Sequence, residues 1–286
     1  MKLLIIPNSG KPDAIKYAKE AAGLLSTLCC ELLSYSEYRE CLGSENITYA
    51  SREEMMSLCD IVICVGGDGT ILRTATFAAE NGKPVLGINA GRLGYLSGLE
   101  HSELRELARL TSGDYCTESR MMLSVSTYDG GGRQRNRSLS LNDAVISRDS
   151  RSHIADLTIA HNNQSLIEYR ADGVIISTPT GSTAYSLSAG GPIVDPTINC
   201  ITATPICAHS PASRPIVFSS DCSLKISGSV PGEGKIHLNV DGEEIISLDT
   251  GDYVIIEKSA IAASIIRIKS EGFYDVLKNK LGGIPG

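Results

Sequence analysis

Five apolar residues, Ile61 to Val65, run without a break into the glycine-rich turn Gly66-Gly67-Asp68-Gly69-Thr70, and the run after it, "ILRTATFAAE", has helical character. That junction constrains the fold more than any other stretch. An unbroken apolar run is the pattern of a strand covered on both faces, and a glycine-rich turn leading into a helix is how α/β folds present backbone amides to anionic oxygens. Glycines at these positions let the main chain approach a ligand and adopt positive φ. The turn is not a Walker A loop, because no lysine follows the glycines, nor the dinucleotide Gly-x-Gly-x-x-Gly fingerprint. A carboxylate at its centre repels phosphate, so Asp68 has to hold a cation, bind a sugar hydroxyl or take that hydroxyl's proton. All three suit phosphoryl transfer to an alcohol; the competing account is a plain turn in which Gly-Asp-Gly is only favourable turn chemistry.

The pattern around this junction repeats. "KLLII" reads as a strand, "PDAIKYAKEAAGLLSTL" as a helix, "CCELL" as a strand, "REEMMSLC" as a helix, "DIVICV" and "PVLGI" as strands, so residues 1–115 are expected to form an α/β domain with a mostly parallel, Rossmann-like sheet. Beyond them the texture changes to strand-length runs separated by Gly, Asn, Asp or Ser: "RMMLSVSTYD", "SLSLNDAVISR", "IADLTIAHNNQSLIEYRADGVIIS", "SRPIVFSS", "CSLKISGS", "KIHLNVDG", "DYVIIEKS" and "SIIRIKS". Residues 116–270 are therefore expected to form a β-rich, mainly antiparallel domain. "GGGR" at 130–133 and "HNNQ" at 161–164 read as hairpin tips, and "SVPGEGKI" at 229–236, a near miss to a phosphate loop, as a hairpin turn. The tail "FYDVLKNKL" reads as a short helix, and 271–286 is expected to pack back on the first domain.

With 286 residues and 42% hydrophobic content the chain can bury a large core over two domains. Nine cysteines show no metal-ligand spacing, which fits a reduced, cytoplasmic setting. Lys2 and the apolar residues before Pro7 make too short a run for a signal peptide or membrane span, and read as a first strand. A net charge of −7 argues against nucleic acid as a partner, and an anionic small ligand then needs a local basic pocket.

Two further constellations carry chemistry. In "YRADGVIISTPTGSTAYSLSAGGPIVDP", 169–196, a strand again ends in a turn rich in hydroxyls and glycine, followed by a helical "TAYSLS". One hydroxyl among Thr180, Ser182 and Thr183 can cap that helix; the density around Tyr185 suits hydrogen bonding to a polyhydroxylated, phosphorylated ligand. In "SLNDAVISR", Asn142 and Asp143 are expected to end an alternating strand, where Asn142 can donate and accept and Asp143 can accept from two hydroxyls. A turn or bulge is the simpler account of that pair.

GGDGT at 66–70, "GINAGRLGYL" at 87–96, "LND" at 141–143, "RADGVIISTPTGSTAYSLSAGGPIVDP" at 170–196, "HSPASRPIV" at 209–217 and "FYDVLKNKL" at 273–281 together resemble the NAD kinase family in order and spacing over nearly the whole chain. The resemblance implies ATP-dependent phosphorylation of the 2′-hydroxyl of the adenosine ribose of NAD, with Mg2+ or Mn2+ carried mainly by the nucleotide phosphates, in a homodimer or homotetramer that involves neither nucleic acid nor membrane. It makes Asp68 the proton acceptor, with Gly67 and Gly69 at the nucleotide and Arg73 supplying positive charge. Asn142 and Asp143 match the family's Asn-acid pair, usually Asn-Glu. His153 falls at a ligand contact, Arg170 and Asp172 at a basic-x-acid pair, and Thr180 with Thr183, Ala184, Tyr185, Ser186, Leu187 and Ser188 along the adenosine pocket. Glu243 stands where the family often has Gln. The resemblance also leads to an expected site between the domains. Two rival readings are a lipid or sphingoid kinase using the same turn and a dinucleotide sensor without catalysis.

Overall fold

The computed structural model describes residues 1–28, 30–91, 94–149, 153–162, 164–232, 234–269 and 272–282. It divides into two compact units, Met1–Ser119 with Ala263–Gly286, and Arg120–Ala262. The return to the first unit thus begins at Ala263, before residue 271.

In chain order the first unit contains β1 (Lys2–Pro7), α1 (Pro12–Ser26), β2 (Glu31–Tyr35), a 3-10 turn, α2 (Arg39–Leu42), β3 (Ile47–Ala50), α3 (Arg52–Leu58), β4 (Ile61–Gly66), α4 (Asp68–Glu80), β5 (Val85–Asn89), β6 (Leu99–Glu100), a second 3-10 segment and α5 (Ala108–Ser112). Its parallel strands lie in the order β3-β2-β1-β4-β5, the doubly wound arrangement. All six residues of β4 are buried, which is why its sequence is continuously apolar rather than alternating. Helix α1 turns Ala14, Ala18, Ala21, Ala22 and Leu25 onto one buried face, a stripe of small side chains. Pro12 opens it, where a missing N–H costs nothing. Strand β3 and the helices α2 and α5 were not foreseen; each is short, with too few residues to show a period. Cys29, at the start of the expected "CCELL" strand, lies outside the described residues, and the strand begins at Glu31.

The second unit follows with β7 (Cys116–Tyr128, whose first residues belong to the first unit), β8 (Gln134–Ser140), β9 (Asp143–Arg148), β10 (Ala155–His161), β11 (Gln164–Ala171), β12 (Gly173–Ser177), a 3-10 turn at Gly181–Thr183, α6 (Tyr185–Ser188), β13 (Cys200–Ile206), β14 (Ile216–Ser219), β15 (Leu224–Ser229), β16 (Ile236–Val240), β17 (Glu244–Leu248) and β18 (Tyr253–Arg267). The last helix, α7 (Phe273–Leu281), belongs to the first unit. One sheet is antiparallel in the order β14-β13-β12-β9-β16-β17; in the other group β10 pairs antiparallel with β11 and β15, and β15 with β18. Ile146, Val174, Ile176 and Leu238 of the first share a core with Leu157, Ile159, Ile226 and Val254 of the second. Each such side chain contributes about 1.5–3 kcal/mol by leaving water.

Several expectations are corrected here. "SLSLNDAVISR" is not one strand: β8 ends at Ser140 and β9 starts at Asp143, so Asn142 lies in the break and Asp143 opens a strand rather than ending one. Most of "DYVIIEKS" and "SIIRIKS" joins in the single strand β18, because the Ala-Ile-Ala-Ala between them is compatible with extended backbone. "SVPGEGKI" is not a hairpin turn, since β15 and β16 belong to different sheets; its Glu233 lies outside the described residues. Strands β13 and β17 went unread. The "GGGR" tip does close β7 onto β8, with Gly132 at φ 85°. Asn163, in the β10–β11 tip, is outside the described residues.

Candidate active site

In a doubly wound sheet, ligands bind beyond the carboxyl ends of the strands where the chain order reverses. Here that point lies between β1 and β4, and two loops leave it: Pro7–Lys11 into α1 and Gly66–Asp68 into α4. The loops are tied together, the Asn8 amide donating to Val65 O at 2.8 Å and the Asn8 side chain to Thr70 Oγ1 at 2.8 Å. A Cβ built on Gly67 would lie 3.7 Å from Lys11 Nζ, and one on Gly69 would meet nothing within 4 Å. The first loop was missed in the sequence; its signal was Pro-Asn-Ser-Gly after an apolar strand.

Asp68 is not in the middle of a turn but is the first residue of α4, with Gly67 as its N-cap at φ −95°. Gly66, Gly67 and Gly69 all avoid positive φ, contrary to the expected use of glycine. Close approach explains Gly66 instead, since a Cβ there would come within 2.8 Å of Thr70 Cβ. The Asp68 carboxylate accepts from the Tyr95 amide at Oδ2 (3.1 Å) and the Leu96 amide at Oδ1 (3.3 Å). A Cβ at Gly94 would stand 2.0 Å from Asp68 Oδ1, so glycine here lets the carboxylate keep this position. Arg267 fixes this segment by donating to the carbonyls of Tyr95 and Ser97 while paired with Glu118 at 3.2 Å. Lys280 Nζ lies 3.8 Å from Asp68 Oδ2. Each carboxylate oxygen holds one amide and keeps lone-pair capacity for another proton donor. Burial and the nearby Asp68 charge raise the Tyr95 hydroxyl above its ordinary pKa. Arg73 is exposed one turn further along α4, and Arg92 and Leu93 of "GINAGRLGYL" lie outside the described residues.

The second unit holds a cavity of about 280 Å³, at the small end of ligand pockets. Val145 of β9 and Asn239 of β16 form its floor, in register on one face of the six-stranded sheet. Its walls are the Asn142-Asp143 break, the Asp241-Gly242 turn, and Ala184 with Tyr185 at the start of α6. Four donors converge on the Asp241 carboxylate: the Ser140 hydroxyl (2.7 Å) and the amides of Leu141 (2.8 Å), Asn142 (2.9 Å) and Asp143 (3.0 Å). Its own amide donates to Asp143 O at 2.9 Å, with Asp241 at φ 50°, a left-handed conformation aspartate tolerates. Asp241 therefore shapes the Asn-Asp break, and sequence reasoning missed it; Asp-Gly between two alternating runs was the available signal. The Asp143 carboxyl is buried and its pKa is pushed up to about 7, first by burial and then by the Asp241 charge.

The hydroxyl-rich segment is largely spent on its own architecture. Thr178 donates to Leu141 O at 2.6 Å and accepts from the Gly181 amide at 3.0 Å. Ser182 donates to Pro179 O and accepts from the Val194 amide at 3.0 Å, Ser177 pairs with Thr202, and Ser186 with Thr204 at 2.9 Å. Ser177, Thr178, Ser182 and Ser186 are fully buried. Thr180 is buried with Arg120 at 3.5 Å, and Thr183 donates to Thr180 O at 3.2 Å. Tyr185 and Ser188 are exposed, Ala184 and Leu187 half-buried. Hydroxyl density thus marked a turn fastened to the break before β9 and to β13 more than a wall of free donors.

The remaining candidates lie apart from the cavity's lining. Arg170 faces Asp156 across the β10–β11 ladder at 3.9 Å, and Asp172 accepts from Arg148 Nε at 2.7 Å, so this basic-x-acid pair is divided between two ion pairs. His153 is exposed between β9 and β10, and Glu243 is exposed in the β16–β17 turn.

A doubly wound unit with an aspartate heading the helix at its switch point, in one chain with an antiparallel unit that holds a polar-rimmed cavity, defines a nucleotide-dependent phosphotransferase. Residues 3–115 match the ATP-NAD kinase N-terminal domain and residues 141–268 the ATP-NAD kinase C-terminal domain. The chain belongs to the ATP-NAD kinase family. Relatives include an NAD kinase of Desulforamulus reducens, 38% identical over 97% of this chain and 96% of that one, and one of Symbiobacterium thermophilum, 39% identical over 99% of each. Among solved structures, a yeast NADH kinase complexed with NADH superposes with a TM-score of 0.88 at 26% identity, covering 100% of this chain and 88% of that one. An Archaeoglobus fulgidus NAD kinase in complex with ATP gives 0.76 at 25% identity, covering 100% of both.

Proposed function

We propose that this enzyme transfers the γ-phosphoryl group of ATP to the 2′-hydroxyl of the adenosine ribose of NAD, giving NADP, with Asp68 accepting the hydroxyl proton. The observation that carries the reading is the Asp68 carboxylate, with both oxygens held by main-chain amides at the head of a helix yet able to accept once more. Phosphoryl transfer needs alignment and charge compensation more than covalent help. Gly67 and Gly69 leave room for phosphate oxygens at the α4 amides, and Arg73 adds positive charge. Asn142, Asp143, Thr180 and the segment Thr183, Ala184, Tyr185, Ser186, Leu187 and Ser188 are assigned to the adenosine moiety. His153, Arg170, Asp172 and Glu243 are assigned to peripheral contacts.

Among the described residues no group of three or more His, Cys, Asp or Glu is gathered to hold a metal ion. A single carboxylate among amide donors suits a divalent cation carried by nucleotide phosphates, and Mg2+ or Mn2+ bound in that way would offset phosphate charge. Asp68 then has one task, to take the proton as the new bond forms.

We place the enzyme in the cytoplasm as a homodimer or homotetramer. Cys41, Cys59, Cys64, Cys116, Cys200, Cys207 and Cys222 are free thiols, and no helix among the described residues is long and apolar enough to cross a membrane. Ile245 and Val217, 72% and 54% exposed on the two edge strands of the six-stranded sheet, are apolar positions suited to cover by a second copy.

The test is incubation of the purified protein with NAD or NADH, ATP and magnesium, read with a dehydrogenase specific for NADP(H). Labelled ATP with diacylglycerol or sphingosine as acceptor separates the lipid-kinase alternative, and absence of product with any acceptor supports a sensor.

A further inference from the structure

The cation beside Asp68 comes from the far end of the chain. Lys280 sits near the C-terminus of α7, where a cation is favoured by the helix dipole. Its Nζ stands 3.8 Å from Asp68 Oδ2 and 3.9 Å from the centroid of the Tyr95 ring. Tyr95 is the residue whose amide donates to that same Oδ2, and its ring lies 6.2 Å, centroid to centroid, from that of Phe273 at the start of α7. One end of the helix therefore packs on the tyrosine and the other carries its charge across the tyrosine's face to the carboxylate. Two separate contacts of α7 converge on one small segment, an arrangement that an incidental surface ion pair does not require.

We infer that Lys280 is a positioning residue for Asp68: cradled by the Tyr95 ring, its ammonium holds Oδ2 in place and compensates the carboxylate's charge so that an anionic phosphoryl donor can approach it. This rests on the reading of Asp68 as the proton acceptor. The ammonium attracts Oδ2 across 3.8 Å while the Tyr95 amide hydrogen-bonds it at 3.1 Å, which leaves fewer orientations for the carboxylate to sample. It also answers how an acidic side chain is tolerated where phosphate must come close.

The experiment is a double-mutant cycle on the full chain. Lys280→Met should lower kcat roughly five- to tenfold and leave KM for NAD within about twofold, because the ammonium acts on the reacting carboxylate rather than on the acceptor. Lys280→Arg, which keeps the charge, should recover most of the lost kcat. In an Asp68→Asn background, Lys280→Met should cost nothing further, whereas a structural role of the helix would persist there. Unchanged kcat in Lys280→Met, an equal loss in both backgrounds, or a rise confined to KM for ATP overturns the inference, the last by assigning Lys280 to the donor phosphates. Should Asp68→Asn itself keep near-normal turnover, it is the reading of Asp68 that fails, and the single variants alone show this.

Discussion

Replacing Asp143 by asparagine should change how the stability of the second unit depends on pH. An unfolded aspartate ionises near 3.8, whereas the folded Asp143 carboxyl titrates at about 7, mainly through burial and secondarily through Asp241. Between those values the folded chain holds a proton that the unfolded chain releases, so each increase in pH favours unfolding; below 3.8 and above about 7 the contribution is level. At about 1.36 kcal/mol per pKa unit, the span from 3.8 to about 7 corresponds to about 4 kcal/mol, of which about 2.5 kcal/mol falls between pH 5 and pH 8. Asparagine cannot ionise and lacks this slope. Urea unfolding of both proteins at pH 5, 6, 7 and 8 and constant ionic strength, followed by far-ultraviolet circular dichroism, gives the difference directly. The variant should gain on the parent by about 2.5 kcal/mol across that range. A difference that stays flat would falsify the account of a carboxyl buried beside a like charge.

Asp68→Asn should bind NAD almost normally yet lose roughly 100-fold or more in turnover, the scale of a missing general base, as read by NADP formation. Gly94→Ala should reproduce much of that loss without touching Asp68, because its Cβ would intrude to 2.0 Å from Asp68 Oδ1 and force the carboxylate aside; steady-state kinetics showing parental kcat would remove Gly94 from the argument. Ile245→Lys should place a charge at an exposed apolar position, and light scattering should then shift from an oligomer toward the 30.4 kDa of one chain.

How much of this was legible depended on where the information resides. Strand β4 and helix α4 could be read because unbroken burial and helical period both leave local traces, although the helix begins at Asp68, three residues before the expected run from Ile71. What holds Asp68 was hidden, since Tyr95, Leu96 and Lys280 are distant along the chain and only folding brings them together. Asp241 was hidden for the same reason, lying almost a hundred positions from the break it organises. The Ser/Thr-rich turn misled in a different way: a hydroxyl that bonds a carbonyl and one that waits for a ligand look alike in sequence, and burial decides between them. Strands β15 and β16 looked like a hairpin because proximity in sequence was the only guide to pairing, whereas the two belong to separate sheets.

By collecting four donors, the Asp241 side chain does for the Asn-Asp break what a neighbouring strand would otherwise do. The break consequently keeps its shape, and the nucleoside proposed for this cavity would meet a rigid wall and lose little affinity to ordering that wall. Rigidity of this kind selects by outline: an analogue bulkier at the sugar must displace a segment bolted at four points, and is refused for its size rather than for a missing contact.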